Sequence, residues 1–298
     1  MYISYDYYRI FYYVGKYGNF THAAKALMSN QPNVTRTMKA LEKELGCTLF
    51  VRSKNGVKLT SEGESLYKHV VIAFEHLNAA EDEISTNKSF ENGIISIGAS
   101  EIALHCFLLP ILDKFKTKYP GVRLKISNHS TPQAIAKLKT ELVDFAIVTS
   151  PFDIDSDFTE TKLKKFREVA ICAEKFSSLT DKSKIEFDEL LNFPIVSLGP
   201  KTSTYDFYVN EFRKNGVDFS VDVEAATADQ ILPLVEHNLG VGFVPEEFLT
   251  QNVTKDIHRL NLATPVSERS ICLLKKRSLF LSPPARELER MILENADK

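Results

Sequence analysis

The 298-residue sequence has no apolar run near the roughly 18 residues needed to span a bilayer. Its first stretch, MYISYDYYRIFYY, lacks the basic start and plain apolar core of an export signal, so a soluble cytoplasmic protein with no membrane partner is expected. Cysteine is scarce. Cys47, Cys106, Cys172 and Cys272 lie far apart and form no CxxC pair, which argues against a disulfide framework, a thiolate zinc site and a vicinal redox switch, and reads as small buried hydrophobes in a reducing compartment. Catalytic signatures are missing as well: there is no GxSxG, HExxH, P-loop or GxGxxG, and Gly240-x-Gly242 only flanks a strand. The seven histidines keep no metal-ligand spacing. The expectation is therefore no metal, no cofactor and no enzyme. With 44% hydrophobic and 26% charged residues the chain can still bury a packed core, which excludes wholesale disorder.

The overall charge of −2 hides an asymmetry. Residues 1–60 hold nine Lys or Arg against three acids, a net of +6, so the remainder carries −8. A small basic head on an acidic body points the head at a polyanion, nucleic acid first. Within that head Tyr8, Phe11, Tyr12 and Gly15 keep the spacing of one helix face, closed by Gly18-Asn19. Seven of the eleven tyrosines fall in residues 2–17 and read as amphipathic packing residues. Thr21 is an N-cap for a short helix, THAAKAL. Asn30 caps a third helix with Pro32 in its first turn, and Val34, Met38, Leu41 and Leu45 face inward, leaving Thr35, Arg36, Lys39 and Lys43 outside. Two short helices joined by a tight turn, the second opening on polar and basic groups, form a helix-turn-helix. Gln31, Asn33, Thr35 and Arg36 can reach base edges, beside helix-start N–H groups that suit phosphates. LFVR and VKLT flank Asn55-Gly56, which predicts a two-stranded wing over 49–60 carrying Arg52, Lys54 and Lys58. Ser61-x-x-Glu64 reads as a capping box for a helix to about Ser89, on which Leu66, Val70, Ala73, Leu77, Ala80 and Ile84 form a heptad seam; a homodimer coiled coil is the favoured reading, because the wing ends where this helix starts, and packing on its own chain is the alternative.

The stretch GNFTHAAKALMSNQPNVTRTMKALEKELGCTLFVRSKNGVKLTSEG resembles the LysR-type transcriptional regulators through its helix, turn, recognition helix, wing and the T-x-x-G start of the linker helix. Asn30 and Thr35 stand where that family commonly has Ser, and both keep a capping or hydroxyl group. The resemblance implies that Gln31, Pro32, Thr35 and Arg36 contact the groove and Arg52 a flanking position. The candidate DNA-facing set is Thr21, Asn30, Gln31, Pro32, Asn33, Thr35, Arg36, Lys39, Arg52 and Lys54; the candidate seam is Leu66, Val70, Ala73, Leu77 and Ile84. Implied partners are an operator duplex, a second copy in a homodimer or homotetramer, and RNA polymerase.

From Gly93 strands alternate with helices, which predicts an α/β body with mostly parallel sheet. The body looks like the two-lobed fold of type 2 periplasmic binding proteins, with crossovers near 161–166 and 263–268. That places lobe I at about 91–161 and 268–298, and lobe II at about 162–267, behind a winged helix-turn-helix at 1–60 and a linker helix at 61–90. Small ligands bind beyond the carboxyl ends of such strands. Ser100, Glu101, Ser130, Thr131, Thr149, Ser150, Thr202, Ser203 and Thr227 stand there, where hydroxyls at helix starts suit a carboxylate or oxyanion. Glu101 would repel an anion and pair with an amine, so organic acid, oxyanion and amino-acid-like effectors all stay open. His105 and His129 can approach the same cleft, with no nucleophile beside them. A regulator is the favoured function; a cytoplasmic solute-binding protein or an enzyme on the same two-lobed fold are the alternatives.

Overall fold

Helix α1 (Tyr5–Tyr17) opens the first of two units, Met1–Ile84 and Ser85–Lys298, in a computed structural model that describes residues 3–53, 56–86, 93–128, 130–252 and 257–296. The Ser4 hydroxyl accepts from the Asp6 N–H at its start, and Gly18, with a left-handed φ of 57°, closes it. Helix α2 (Phe20–Ala26) is capped by Asn19 and not by Thr21: Asn19 Oδ1 accepts from the N–H groups of Thr21 at 2.8 Å and His22 at 3.1 Å. Thr21 is already inside the helix and its side chain is exposed. Helix α3 (Gln31–Leu45) starts as expected, with Asn30 Oδ1 accepting from the Asn33 N–H at 2.9 Å and Pro32 in the first turn. Val34, Met38 and Leu41 are buried with Phe11, Val14, Ala23 and Ala24 in one core, and Leu45 packs at its margin.

Strands β1 (Phe50–Ser53) and β2 (Gly56–Leu59) pair antiparallel from Phe50–Leu59 to Ser53–Gly56. Lys54 and Asn55 of the expected turn lie outside the described residues, as does the side chain of Arg52. Gly56 has a φ of +133°, and a Cβ there would stand 2.3 Å from the Gly18 carbonyl oxygen, so the wing can seat on the end of α1 only through glycine. Helix α4 (Ser61–Thr86) begins on a different cap from the one expected. The Thr60 hydroxyl accepts from the Gly63 N–H at 3.0 Å, while Ser61, inside the helix, donates to Glu62. The expected end near Ser89 lies outside the described residues.

The seam on α4 divides. Val70 is buried in the chain's own head core and Leu66 packs against that core, so these two seam positions are spent inside the protomer. Phe74, off the expected seam, stacks on Tyr12 with ring centroids 4.7 Å apart and on Tyr5 at 5.9 Å, which gives the tyrosines of α1 their packing role. Ala73 is exposed and Leu77 is 45% exposed; the Ile84 side chain lies outside the described residues.

In the second unit β3 (Ile94–Ala99), β4 (Arg123–Asn128) and β5 (Phe145–Thr149) pair in parallel, β3 in the middle. Between them run α5 (Glu101–Ala103), a π turn over Leu104–Leu108, α6 (Leu109–Lys118) and α7 (Thr131–Lys139). Strand β6 (Phe158–Phe166), not expected from the sequence, crosses to β7 (Glu168–Ala173) through Arg167. Helix α8 (Phe187–Leu190), β8 (Ile195–Leu198), α9 (Ser203–Lys214), β9 (Val223–Ala225), α10 (Ile231–Glu236), β10 (Val241–Pro245), α11 (Glu246–Asn252) and β11 (Ile257–Arg259) complete the second lobe. The chain then returns through β12 (Arg269–Lys276) and α12 (Pro283–Glu294) to the first, as the sequence suggested.

The sheets are ordered β4-β3-β5-β12-β6 and β11-β7-β10-β8-β9. Both are mixed, where mostly parallel sheet was expected, because β12 lies antiparallel between β5 and β6, and β7 antiparallel between β10 and β11. The first crossover also moves: β6 pairs with β12 from Phe158–Lys276 to Phe166–Arg269, so residues 162–166 belong to the first lobe and the chain crosses at Arg167. Each sheet carries apolar cores on both faces. Among the described residues no helix is long and apolar enough to cross a membrane, and no cluster could hold a metal ion.

Candidate nucleic-acid interface and effector cleft

The exposed start of α3 carries a run of polar side chains tied to one another. Gln31 Nε2 donates to Thr35 Oγ1 at 3.1 Å, Arg36 donates to Asn33 Oδ1 at 3.2 Å, and Asn33 Nδ2 donates to the Ser29 hydroxyl at 3.3 Å. Pro32, Arg36 and Lys39 are exposed, while Val34 and Met38 between them are buried. Asn30, by contrast, is engaged in capping. The result is a polar, cationic ridge on a rigid base, with side chains already oriented by neighbours that a base edge can replace as partners. The wing is held by a residue the sequence reading missed: Glu42 Oε1, on α3, accepts from the N–H groups of Leu49 at 2.7 Å and Phe50 at 3.2 Å. One of three acids in a basic head signals such a role only once the strand that it caps is in place.

In the second unit the structure brings together some of the expected cleft residues and spends others on local caps. Ser100 accepts from the Ala103 N–H and is 7% exposed; Ser130 and Gln133 form a capping box at α7; Thr202 accepts from the Tyr205 N–H at 3.1 Å; Thr227 and Gln230 cap the turn before α10. Glu101 pairs with His105 Nε2 at 2.8 Å, so its carboxylate already has a partner of opposite sign when that imidazole is protonated. His129 lies outside the described residues. Ser203 lines a cavity of about 550 Å³ with Pro132, Ile135, Asp206 and Asn210.

Thr149, Ser150 and, behind them, Thr131 converge on Arg269, the first residue of β12, which sequence reasoning did not single out. Arg269 Nε donates to the Ser150 carbonyl at 2.6 Å, and its terminal nitrogens donate to Thr149 Oγ1 at 3.1 Å and to Thr204 Oγ1 at 3.3 Å. Thr131 Oγ1 donates to the Thr149 carbonyl at 3.4 Å. The guanidinium lies over the Phe207 ring at 4.7 Å and meets Glu168 Oε2 at 3.0 Å, with both charged side chains 1% exposed. Glu168 opens β7 and Arg269 opens β12, so the pair spans the two crossovers and ties both lobes together. A charge at the edge of an apolar strand was the only sequence signal; its partner is 101 positions away.

Arg269 also lines a cavity of about 490 Å³ with Ser150, Pro151, Phe207 and Asn210. Glu168 lines a separate space of about 10 Å³ with Ser197, Thr204 and Tyr208, closed by Ile102 of the first lobe and Ile231 and Phe243 of the second. Burial, with the Glu168 charge adding to it, pushes the Tyr208 phenol well above its usual range, so it stays a neutral hydroxyl.

A family model described as the LysR substrate binding domain matches residues 88–297, and one described as a bacterial regulatory helix-turn-helix protein of the lysR family matches residues 5–64. The chain belongs to the LysR family. As a LysR-type transcriptional regulator it joins a DNA-binding helix-turn-helix to an effector-binding domain. It is 24% identical over 286 residues to a probable RuBisCO transcriptional regulator of Emiliania huxleyi, covering 93% of this chain and 90% of that protein. It is 26% identical over 229 residues to the HTH-type transcriptional regulator AlsR of Bacillus subtilis strain 168, covering 76% and 75%. The solved structure of CbnR, a LysR family transcriptional regulator, matches with a TM-score of 0.75 at 18% identity over 99% of this chain and 100% of that one. Full-length CbnR complexed with its target DNA matches with a TM-score of 0.74, again at 18% identity and with the same coverage. At that identity the likeness to CbnR is one of fold.

Proposed function

We propose that this LysR-family chain reads a double-stranded operator with Gln31, Pro32, Asn33, Thr35 and Arg36, flanks it with the wing through Arg52 and Lys54, and self-associates through α4. A small organic acid, amino-acid-like molecule or oxyanion taken between the two lobes favours one lobe arrangement over another and so shifts the population of oligomer geometries on DNA. The observation that carries this reading is the polar ridge of α3, exposed and hydrogen-bonded above Val34, Met38 and Leu41, in a segment of net +6 charge. The uncovered Leu77 beyond the head core supports self-association along α4, and the cavities beside Arg269 and Ser203 support a ligand site.

Selection of bound duplexes from a random pool tests the reading. Binding weakens as salt rises, because phosphate contacts release counterions. Arg36→Ala lowers the preference for the selected site over random DNA by about 1–3 kcal/mol if Arg36 reads a base; an equal loss on both makes it a phosphate contact. A protein that prefers no duplex at low ionic strength refutes the proposal.

A further inference from the structure

Two hydroxyls stand beside the buried ion pair. Ser197 and Tyr208 are buried, each 2% exposed; the Tyr208 phenol stands against the Glu168 carboxylate, and Ser197 Oγ makes no hydrogen bond among the described residues. Both face the small space next to Glu168. Buried polar atoms are nearly always satisfied and an unpaired one costs about 1–3 kcal/mol, so a donor that reaches this corner gains from the Ser197 hydroxyl. That space of about 10 Å³ takes at most one water-sized group at present. On its other side Arg269 borders the cavity of about 490 Å³.

The charges limit what can enter. An anion that captured Arg269 would leave the Glu168 carboxylate buried without its counter-charge, and a cation that captured Glu168 would strand the guanidinium. Either exchange is strongly opposed inside a protein. A molecule that carries both charges exchanges the internal ion pair for two ligand pairs and strands neither. We propose that the effector is a zwitterion of the α-amino-acid class, whose carboxylate takes Arg269 and whose ammonium takes Glu168, Ser197 and Tyr208. Three acceptors, one of them the carboxylate, match the three N–H donors of a primary ammonium. Insertion parts Glu168 from Arg269, the contact that spans both crossovers, so binding and lobe rearrangement are one event. The inference rests on the ligand-responsive reading above and narrows its three ligand chemistries to one.

The test titrates the full-length protein calorimetrically with individual protein L-α-amino acids, each beside its matched 2-oxo acid and its decarboxylated amine. At least one amino acid binds, and both of its single-charge analogues bind more weakly by over roughly tenfold, since each leaves one side of the site unpaired. Ser197→Ala, which removes one small unpaired hydroxyl, melts no lower than the parent protein and binds that amino acid roughly 3- to 30-fold more weakly. Glu168→Gln narrows the gap between the amino acid and its 2-oxo acid. Binding of no amino acid, equal binding of the 2-oxo acid, or an unchanged affinity in Ser197→Ala overturns the proposal. If an organic acid or inorganic oxyanion binds instead and alters operator affinity, the sensor reading survives and the zwitterion is excluded. A chain that selects no duplex sinks the regulator reading, whatever amino acids do.

Discussion

Removing both partners of the Glu168–Arg269 pair should cost clearly less than the sum of removing each alone. The guanidinium and carboxylate meet at 3.0 Å with 1% of each side chain exposed. Glu168→Gln keeps the shape and leaves a buried positive charge held only by neutral acceptors, a loss of about 3–5 kcal/mol. Arg269→Met strands the carboxylate and also gives up the contact over Phe207 and the hydrogen bonds to Ser150, Thr149 and Thr204, a loss at least as large. The double variant has no uncompensated charge, so its loss falls below the sum of the two by about 2 kcal/mol or more. Urea unfolding of the full chain, followed by circular dichroism, measures the three losses. Hydrogen exchange in peptides covering β7 and β12 assigns them to the second unit. Single variants that each lose under about 1 kcal/mol, or a strictly additive double, would refute the view that this pair clasps the lobes.

Other consequences are smaller and independent of that pair. Glu42→Ala removes the acceptor for the Leu49 and Phe50 N–H groups and destabilises the head by about 1–3 kcal/mol, with Glu42→Gln losing less; hydrogen exchange at the start of β1 reads it. Burial pushes the Cys106 and Cys272 thiols up to about 12 and Cys172 to about 11. Raised values mean that the thiolate is absent below them, at a fraction on the order of 10⁻³ or less at pH 8, so in the native protein at most Cys47 reacts quickly with a disulfide reagent while the other three react on unfolding. Rapid native modification of more than one thiol contradicts this. Leu77→Asp places a charge on the exposed part of the α4 seam and lowers the mass measured by light scattering to that of the monomer; an unchanged mass rejects self-association through that residue.

Local spacing alone made the head readable. Caps, turns and helix faces depend on residues within about four positions of one another, which is why Asn30, Pro32, the inward run Val34, Met38 and Leu41, and the hairpin over 49–60 could be placed before any fold was known. Even there, a one- or two-residue ambiguity misplaced the caps of α2 and α4, since Asn19 and Thr21, or Thr60 and Ser61, are each competent acceptors and only the backbone path chooses. The same periodicity made Leu66 and Val70 look like dimer seam. Whether an apolar stripe meets its own chain or another is settled by what else lies near it, here Phe11 and Phe50 of the head core. In the second unit much of the alternation of strands and helices was legible, yet β6, α8, α11, β11, the mixed sheets and the Glu168–Arg269 clasp were not. The mixed sheets and the clasp rest on pairings from 71 positions apart, Ile171 with Gly242, to 128, Ala146 with Leu274, where no local period survives and only the folded chain brings the partners together.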